Sequence, residues 1–237
     1  MNGILLIDKP QNLTSFDVVK KIRKLTKVKR VGHGGTLDPM ATGLLPVFLG
    51  TATKKVKHFI GGDKGYIAEM TLGILTDTLD ADGKIIKSEK INIINLNNKI
   101  KEAFKEFTGE IVQVPPMFSA VHHKGKRLYE FARAGIEVER KERKVRIHEL
   151  IFKGIKEGDN PKISFEVLCS KGTYIRSLVL DIASRLGSIG YLSKLRRTYS
   201  HPFVIEEALP LEAIENLARI GKLAEVLIDP EEILKNG

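Results

Sequence analysis

An α+β fold built on a mixed sheet is predicted by three features of the sequence. Segments with the apolar period of a strand and segments with the period of a helix are interspersed without regular β–α alternation, which argues against a doubly wound sheet. No internal repeat or low-complexity linker divides the chain. At 237 residues it can bury a substantial core, as one large domain or two small ones, with no disulfide or metal needed to hold it.

Taken in order, GILLID reads as a strand. Thr14 and Asp17 form a capping box opening a helix with Phe16, Val19, Ile22 and Leu25 on one side and lysine and arginine on the other. VGHGGTLDPMATG, residues 31–43, has four glycines and no clear period, so it is expected to be a loop, where functional residues concentrate. LLPVFLG predicts a short strand, TATKKVKHFI a short helix, and YIAEMTL a strand alternating through Tyr66, Ala68, Met70 and Leu72. TDTLDADG, residues 76–83, is an acidic turn, after which IIK resumes an extended run.

Leu96, Ile100, Ala103, Phe104 and Phe107 mark the buried stripe of a helix, with Gly109 just past its end. EIVQVPPMFSAVHHKGKRL reads as extended or hairpin-like, and LYEFARAG as helical with Gly135 as its stop. KVRIHELIF and ISFEVLCS are strands. KGTYIRSLVLDIASRLG is an amphipathic helix with Ile175, Leu178, Val179, Ile182 and Leu186 inward and Gly187 as its stop.

Composition narrows the function classes. No apolar run approaches the roughly 18 residues of a membrane span, and MNGILLIDKP lacks a signal-peptide pattern, so a cytoplasmic, membrane-free location is expected. The single cysteine, Cys169, excludes an internal disulfide and a cysteine-cluster zinc site and reads as a buried strand residue. A net charge of +10 points to a polyanionic partner such as RNA. Residues 205–237 carry a net −5, so +15 belongs to residues 1–204, with clusters at Lys20, Lys21, Arg23 and Lys24 and at Lys194, Arg196 and Arg197. Each cluster taken alone also fits a solvated face.

The usual signatures of nucleotide hydrolysis, zinc chemistry and dinucleotide redox are missing: GxxxxGK[ST], HExxH, CxxC and GxGxxG do not occur. What remains is a set of polar residues in glycine-rich or turn-rich segments, His33, Asp38, Asp80 and Asp82, with Arg176 near the start of a helix. Gly32, Gly34 and Gly35 allow close backbone approach around His33 and Asp38. The residues alone leave structural readings open: Asp38 before Pro39 could cap a helix, and Asp82-Gly83 could be a hairpin turn.

GHGGTLDPMATGLLPVFLGTATK resembles the catalytic motif of bacterial TruB-type tRNA pseudouridine synthases. DKPQNLTS, KGYIAEMTLGILTDTLDADG, VPPMFSAVHHKGKRLYEFARAGIEV and CSKGTYIRSL resemble the other blocks of that family in the same order, covering about residues 3–198. The resemblance implies the pseudouridine synthase fold, with a mixed, largely antiparallel central sheet flanked by helices. It implies isomerisation of a uridine in the tRNA T loop, position 55 in standard tRNA numbering, with the base flipped into a pocket.

By the same resemblance Asp38 is the essential aspartate, Tyr66 stacks on the uracil, Arg176 pairs with the catalytic aspartate and Asp80 is a second carboxylate on that arginine. His33 packs into the RNA where bases are flipped out, Leu195 lines the pocket floor, and Lys9, Lys20, Lys64 and Arg197 are expected at the RNA. Breaking N1–C1′ and joining C5 to C1′ calls for an ionised carboxylate, so no metal or other cofactor is expected. A monomer is expected, with tRNA as its partner.

The chain departs from the family in three places. Asn12 stands where the first block has glycine, and asparagine is the next-best residue at positive φ. His122 stands where lysine is usual. Family members continue into a small RNA-binding PUA domain, whereas this sequence stops at LIDPEEILKNG. The expected organisation is therefore a catalytic domain at 1–204 and a short acidic, mainly helical extension at 205–237, without PUA.

Overall fold

The structure is a computed structural model that describes residues 1–91 and 94–235. In chain order the elements are β1 (Gly3–Lys9), α1 (Ser15–Thr26), β2 (Val31–His33), β3 (Thr42–Leu49), a 3-10 segment (Gly50–Lys55) continuing into α2 (Val56–Phe59), β4 (Lys64–Leu72), β5 (Ile74–Thr76), β6 (Ile85–Ser88), α3 (Leu96–Glu106) and β7 (Gly109–Gln113). Then follow β8 (His122–His123), β9 (Lys126–Arg127), α4 (Leu128–Arg133), β10 (Arg143–Lys156), β11 (Lys162–Cys169), α5 (Ile175–Arg185), β12 (Gly190–Ser200), β13 (Phe203–Val204), β14 (Leu209–Pro210), α6 (Leu211–Arg219) and α7 (Pro230–Lys235). The chain forms two compact units, Met1–Tyr66 with the residues from Arg196 onward, and Ile67–Leu195. The predicted α+β class holds in both: helices accompany strands that pair mainly antiparallel, with parallel pairs at β1·β14 and β3·β12.

In the first unit the strand order is β14-β1-β3-β12. The apolar run of β1 is buried throughout Ile4–Ile7 and pairs antiparallel with β3 from Gly3↔Leu49 to Lys9↔Gly43. Ile4, Leu6, Leu44, Phe48, Ala52, Phe59 and Phe203 form one core, with the Phe59 ring 5.4 Å from Phe48 and 5.6 Å from Phe203. Each fully buried side chain of this size contributes roughly 1.5–3 kcal/mol of apolar transfer.

The capping box of α1 is present: Asp17 N donates to Thr14 Oγ1 (3.0 Å) and Thr14 N to Asp17 Oδ2 (3.2 Å). The predicted inward stripe needs correction at one residue. Ser15, Val18, Val19 and Ile22 face the core at helical spacing, and Phe16, one residue off that line, is 54% exposed with Lys20 Nζ 4.7 Å from its ring centroid.

One further expectation is corrected in this unit. Segment 31–43 is not loop throughout, because Val31–His33 pairs with β3 and Thr42 and Gly43 begin β3. Three residues are too few to show a period, so only the hydrogen-bonding edge that β3 offers at residues 47–49 explains the pairing. Residues after 204 include helices and lie in the first unit, where β14 pairs with β1 and Ile228 exchanges backbone hydrogen bonds with Ile4 (2.8 and 2.9 Å). Asn236 and Gly237, at the end of the expected extension, lie outside the described residues.

The second unit orders its strands β4-β11-β10-β7. The alternation read in ISFEVLCS is real, with Ile163, Phe165, Val167 and Cys169 buried. Phe104 of α3 meets Phe165 edge-on at 5.7 Å, and α5 buries Ile175, Leu178, Val179, Ile182 and Leu186 as predicted. Gly187 ends that helix at φ +76°. Strand β12 was not predicted, because its alternation is broken by Lys194, Arg196 and Arg197. Among the described residues no helix is long and apolar enough to cross a membrane.

Asn12 sits at φ +68°, the left-handed geometry expected where the family has glycine. Asn12→Gly is expected to keep or slightly raise the melting temperature. Asn12→Val should lose roughly 1–2 kcal/mol, since a β-branched residue fits this region poorly. Thermal melts of the two variants, compared side by side, check this; equal midpoints would contradict it.

Candidate active site

The Asp38 turn is held from both sides by its own unit. Before it, Ser15 Oγ donates to Leu37 O (3.1 Å) and accepts from Leu37 N (2.8 Å), so one buried hydroxyl satisfies both backbone groups of Leu37. After it, Pro39 O accepts from Asn12 N (2.9 Å) and from Lys9 Nζ (3.4 Å). Ala41 N closes the turn onto Asp38 O at 3.1 Å, and the chain enters β3 at Thr42. No helix starts at Pro39, so the helix-capping reading of Asp38 fails. The half-buried carboxylate stands between two anchored neighbours, the kind of support that fixes a reacting group.

Arg197 closes the base of this loop. Its Nη1 and Nη2 donate to Thr36 O (3.4 Å) and Gly35 O (3.2 Å) on the incoming limb, and its Nε donates to Leu44 O (2.8 Å) on the outgoing one. The guanidinium is also hydrogen-bonded to the buried Tyr66 hydroxyl. Burial lowers the proton affinity of Arg197, and the Tyr66 contact opposes that shift. His33 is half-buried; desolvation first, and the Arg197 charge second, push its pKa below the ordinary value. Gly35 N donates to its Nδ1 at 3.4 Å, which places the ring proton of the neutral imidazole on Nε2.

Three of the cations expected at the RNA are buried in this structure. Lys9 has no exposed surface, and its ammonium is bound by Pro10 O (2.9 Å), Leu13 O (2.7 Å) and Pro39 O. Arg197 is 1% exposed. Lys64 is nearly buried and donates to Gly62 O (2.7 Å) and Ile60 O (3.4 Å). All three donate to backbone carbonyl oxygens. Lys20 remains on the exposed face of α1, 3.5 Å from Asp17.

In the second unit Asp80 and Arg176 form a buried ion pair, each side chain 5% exposed, with Nη1 3.5 Å from Oδ2. Arg176, second residue of α5, also donates to Thr78 O (2.9 Å) and Phe118 O (2.8 Å). Asp80 Oδ1 accepts from Thr78 Oγ1 (2.5 Å) and from Asp82 N (3.1 Å). Asp82 thus supplies a backbone donor in this turn, and Gly83 N reaches Asp80 O at 3.3 Å. Leu195 is buried in the same unit, at the end of its share of β12. The structure therefore brings together Asp38, His33 and Tyr66 with Arg197 in one unit, and Asp80 with Arg176 in the other.

Sequence reasoning missed Ser15 and the stapling role of Arg197. Ser15 was hidden behind the capping signal of Thr14, and Arg197 read as one more basic residue in a cluster. Replacing Asp80 by alanine removes the acceptor shared by Arg176, Thr78 and Asp82. It should cost about 3 kcal/mol in urea unfolding, the scale of a broken buried pair, and Asp80→Asn should cost less because it keeps an acceptor oxygen.

Comparisons with known proteins identify the family. Residues 23–175 match the model described as TruB family pseudouridylate synthase (N terminal domain). The chain is 45% identical over 237 residues to tRNA pseudouridine synthase B of Geobacillus thermodenitrificans, covering 99% of this chain and 78% of that protein. It is 48% identical over 229 residues to the protein of the same name in Aromatoleum aromaticum, covering 95% and 73%. Among solved structures, one chain of a Cbf5–Nop10–Gar1 complex superposes with a TM-score of 0.75 at 30% identity. That match covers 98% of this chain but only 61% of the other. A chain from an H/ACA ribonucleoprotein bound to a substrate RNA containing 2′-deoxyuridine gives 0.70 at 28% identity, and this chain spans 60% of it. With the motif blocks in order, the fold in agreement and a family model matching most of its length, this chain belongs to the TruB family of pseudouridylate synthases.

Proposed function

We propose that this pseudouridylate synthase isomerises the T-loop uridine of tRNA, position 55, to pseudouridine. The observation that carries the reading is the doubly anchored Asp38 turn, a carboxylate whose two chain neighbours are fixed by Ser15, Asn12 and Lys9. The relatives named tRNA pseudouridine synthase B support tRNA as the substrate.

In this reading the target uridine leaves its stack, and Asp38 is the group that engages it. Breaking N1–C1′ frees the uracil, which turns and rejoins through C5; the C5 proton is lost and N1, released from the sugar, takes one up, so the product is isomeric with the substrate. Tyr66 offers a flat ring to the extruded base, a contact worth roughly 1–3 kcal/mol in comparable cases. Arg176, oriented by Asp80 and two carbonyls, supplies a fixed positive charge. His33, neutral with Nε2–H as donor, and Leu195 contact the RNA around the target. Residues 1–204 carry the reaction and 205–237 complete its scaffold; the protein acts as a monomer in the cytoplasm, without a metal or other cofactor.

Asp38→Asn is expected to bring pseudouridine yield on unmodified tRNA transcript to background while leaving tRNA affinity within about threefold. The amide keeps size and one acceptor but is a poor nucleophile and base. Nucleoside analysis, with a melting curve of the variant, checks this. A folded variant with near-wild-type yield would return Asp38 to a structural role, and binding without turnover by the wild-type chain would favour an RNA-binding module.

Phosphate contacts are expected from the exposed face of α1. Lys21 is paired with Glu215 of α6, and Arg23 lies near Val31 O (3.4 Å). Lys24 is exposed and Lys20, paired with Asp17 of its own helix, keeps most of its side chain in solvent, which makes these two the better candidates. Changing both to glutamine should flatten the slope of log affinity against log salt by about 1 to 2. An unchanged slope would take this helix out of the RNA face.

A further inference from the structure

We infer that Arg197 is a positioning residue for the reaction, a buried cation that staples both limbs of the Asp38 loop and holds the Tyr66 ring in the same frame. The inference rests on the proposed roles of Asp38 and Tyr66, but the placement itself comes from contacts within one unit.

Backbone geometry puts Arg197 there. It lies opposite Gly43 in the parallel pairing of β12 with β3, and Gly43 has φ +102°. A Cβ at position 43 would lie 2.3 Å from Arg197 O and 2.8 Å from its N, so only glycine permits the approach. From that position the side chain binds Gly35 O and Thr36 O before Asp38 and Leu44 O after it. Shifting either limb breaks a hydrogen bond to the same planar group, which couples the two limbs to each other. Tyr66 is bound to that group as well, so a side chain on β4 is registered to the loop.

Stability does not call for a charge at this position. Among the described residues no carboxylate is paired with Arg197; carbonyls and a phenol surround it, and burial opposes its ionised form. A buried cation of this kind costs desolvation that an apolar side chain avoids. What the guanidinium supplies is a rigid fork with several donors in one plane, which an ammonium lacks. Its charge also bears on the neighbouring His33.

The test compares Arg197→Lys, which keeps the charge and loses the fork, with Arg197→Met, which loses both. Turnover of tRNA, tRNA affinity, melting temperature and the His33 pKa by NMR titration are measured for each, with Asp38→Asn alongside. Both variants are expected to lose at least tenfold in kcat with KM and tRNA affinity changed less than twofold, since a misplacement of about 1 Å can cost a hundredfold. The His33 pKa should move up in Arg197→Met and stay near wild type in Arg197→Lys. A folded Arg197→Lys with wild-type kcat overturns the proposal, as does a loss of turnover that only tracks the unfolded fraction. If Arg197→Met fails to fold, Arg197→Lys alone decides the point. The Asp38→Asn control keeps the two readings apart, because an active Asp38→Asn refutes the role of Asp38 whatever Arg197 does.

Discussion

The reciprocal hydrogen bond between Ser15 and Leu37 is the contact on which the site depends most. It joins the first residue of α1 to the residue before Asp38, groups far apart in sequence, and satisfies two buried backbone groups with one hydroxyl. Because α1 is capped at Thr14 and packs its Val18, Val19 and Ile22 face into the core, the anchor is itself rigid. The Asp38 turn thereby takes its position from a helix instead of from its own glycine-rich chain. That arrangement reconciles two needs: glycines leave room for a substrate, and external clamps provide the order that glycines cannot.

Charge in this protein has two separate uses. On the proposed reading, the exposed lysines of α1 contribute to a long-range field that attracts RNA. Lys9, Lys64 and Arg197 are withdrawn from solvent and bind carbonyl oxygens of Leu13, Gly62 and Gly35, where a cation substitutes for the regular hydrogen bonding that loop backbone lacks. A count of basic residues merges the two populations. Only burial separates them, so the net +10 overstates what the surface presents to RNA.

Much of the fold was legible because its periodic segments are strongly amphipathic, as in β11 and α5. The positive φ of Asn12 was legible too, from the glycine it replaces. Phe16 misled because an aromatic near a helix start weighs heavily in an apolar pattern, whereas the inward place belongs to Ser15 for a reason lying at Leu37. Strand β12 was missed because a buried arginine at 197 counts as polar in any periodicity. In the site, the Asp80 turn and Arg176 were suspected from residue type, but the carbonyls of Thr78 and Phe118 that orient the guanidinium are backbone groups without a sequence signature.

The two points at which the distal segment touches β1 have a bearing on how the protein can be trimmed. Strand β14 pairs along the end of β1 at Ile7 and Asp8, and Ile228 covers it at Ile4. Together they occupy hydrogen-bonding groups that would otherwise form the open margin of a long, apolar strand. Open margins of that kind recruit other chains. The acidic segment therefore closes that margin from within the chain, and a protein cut after Val204 is expected to leave it open.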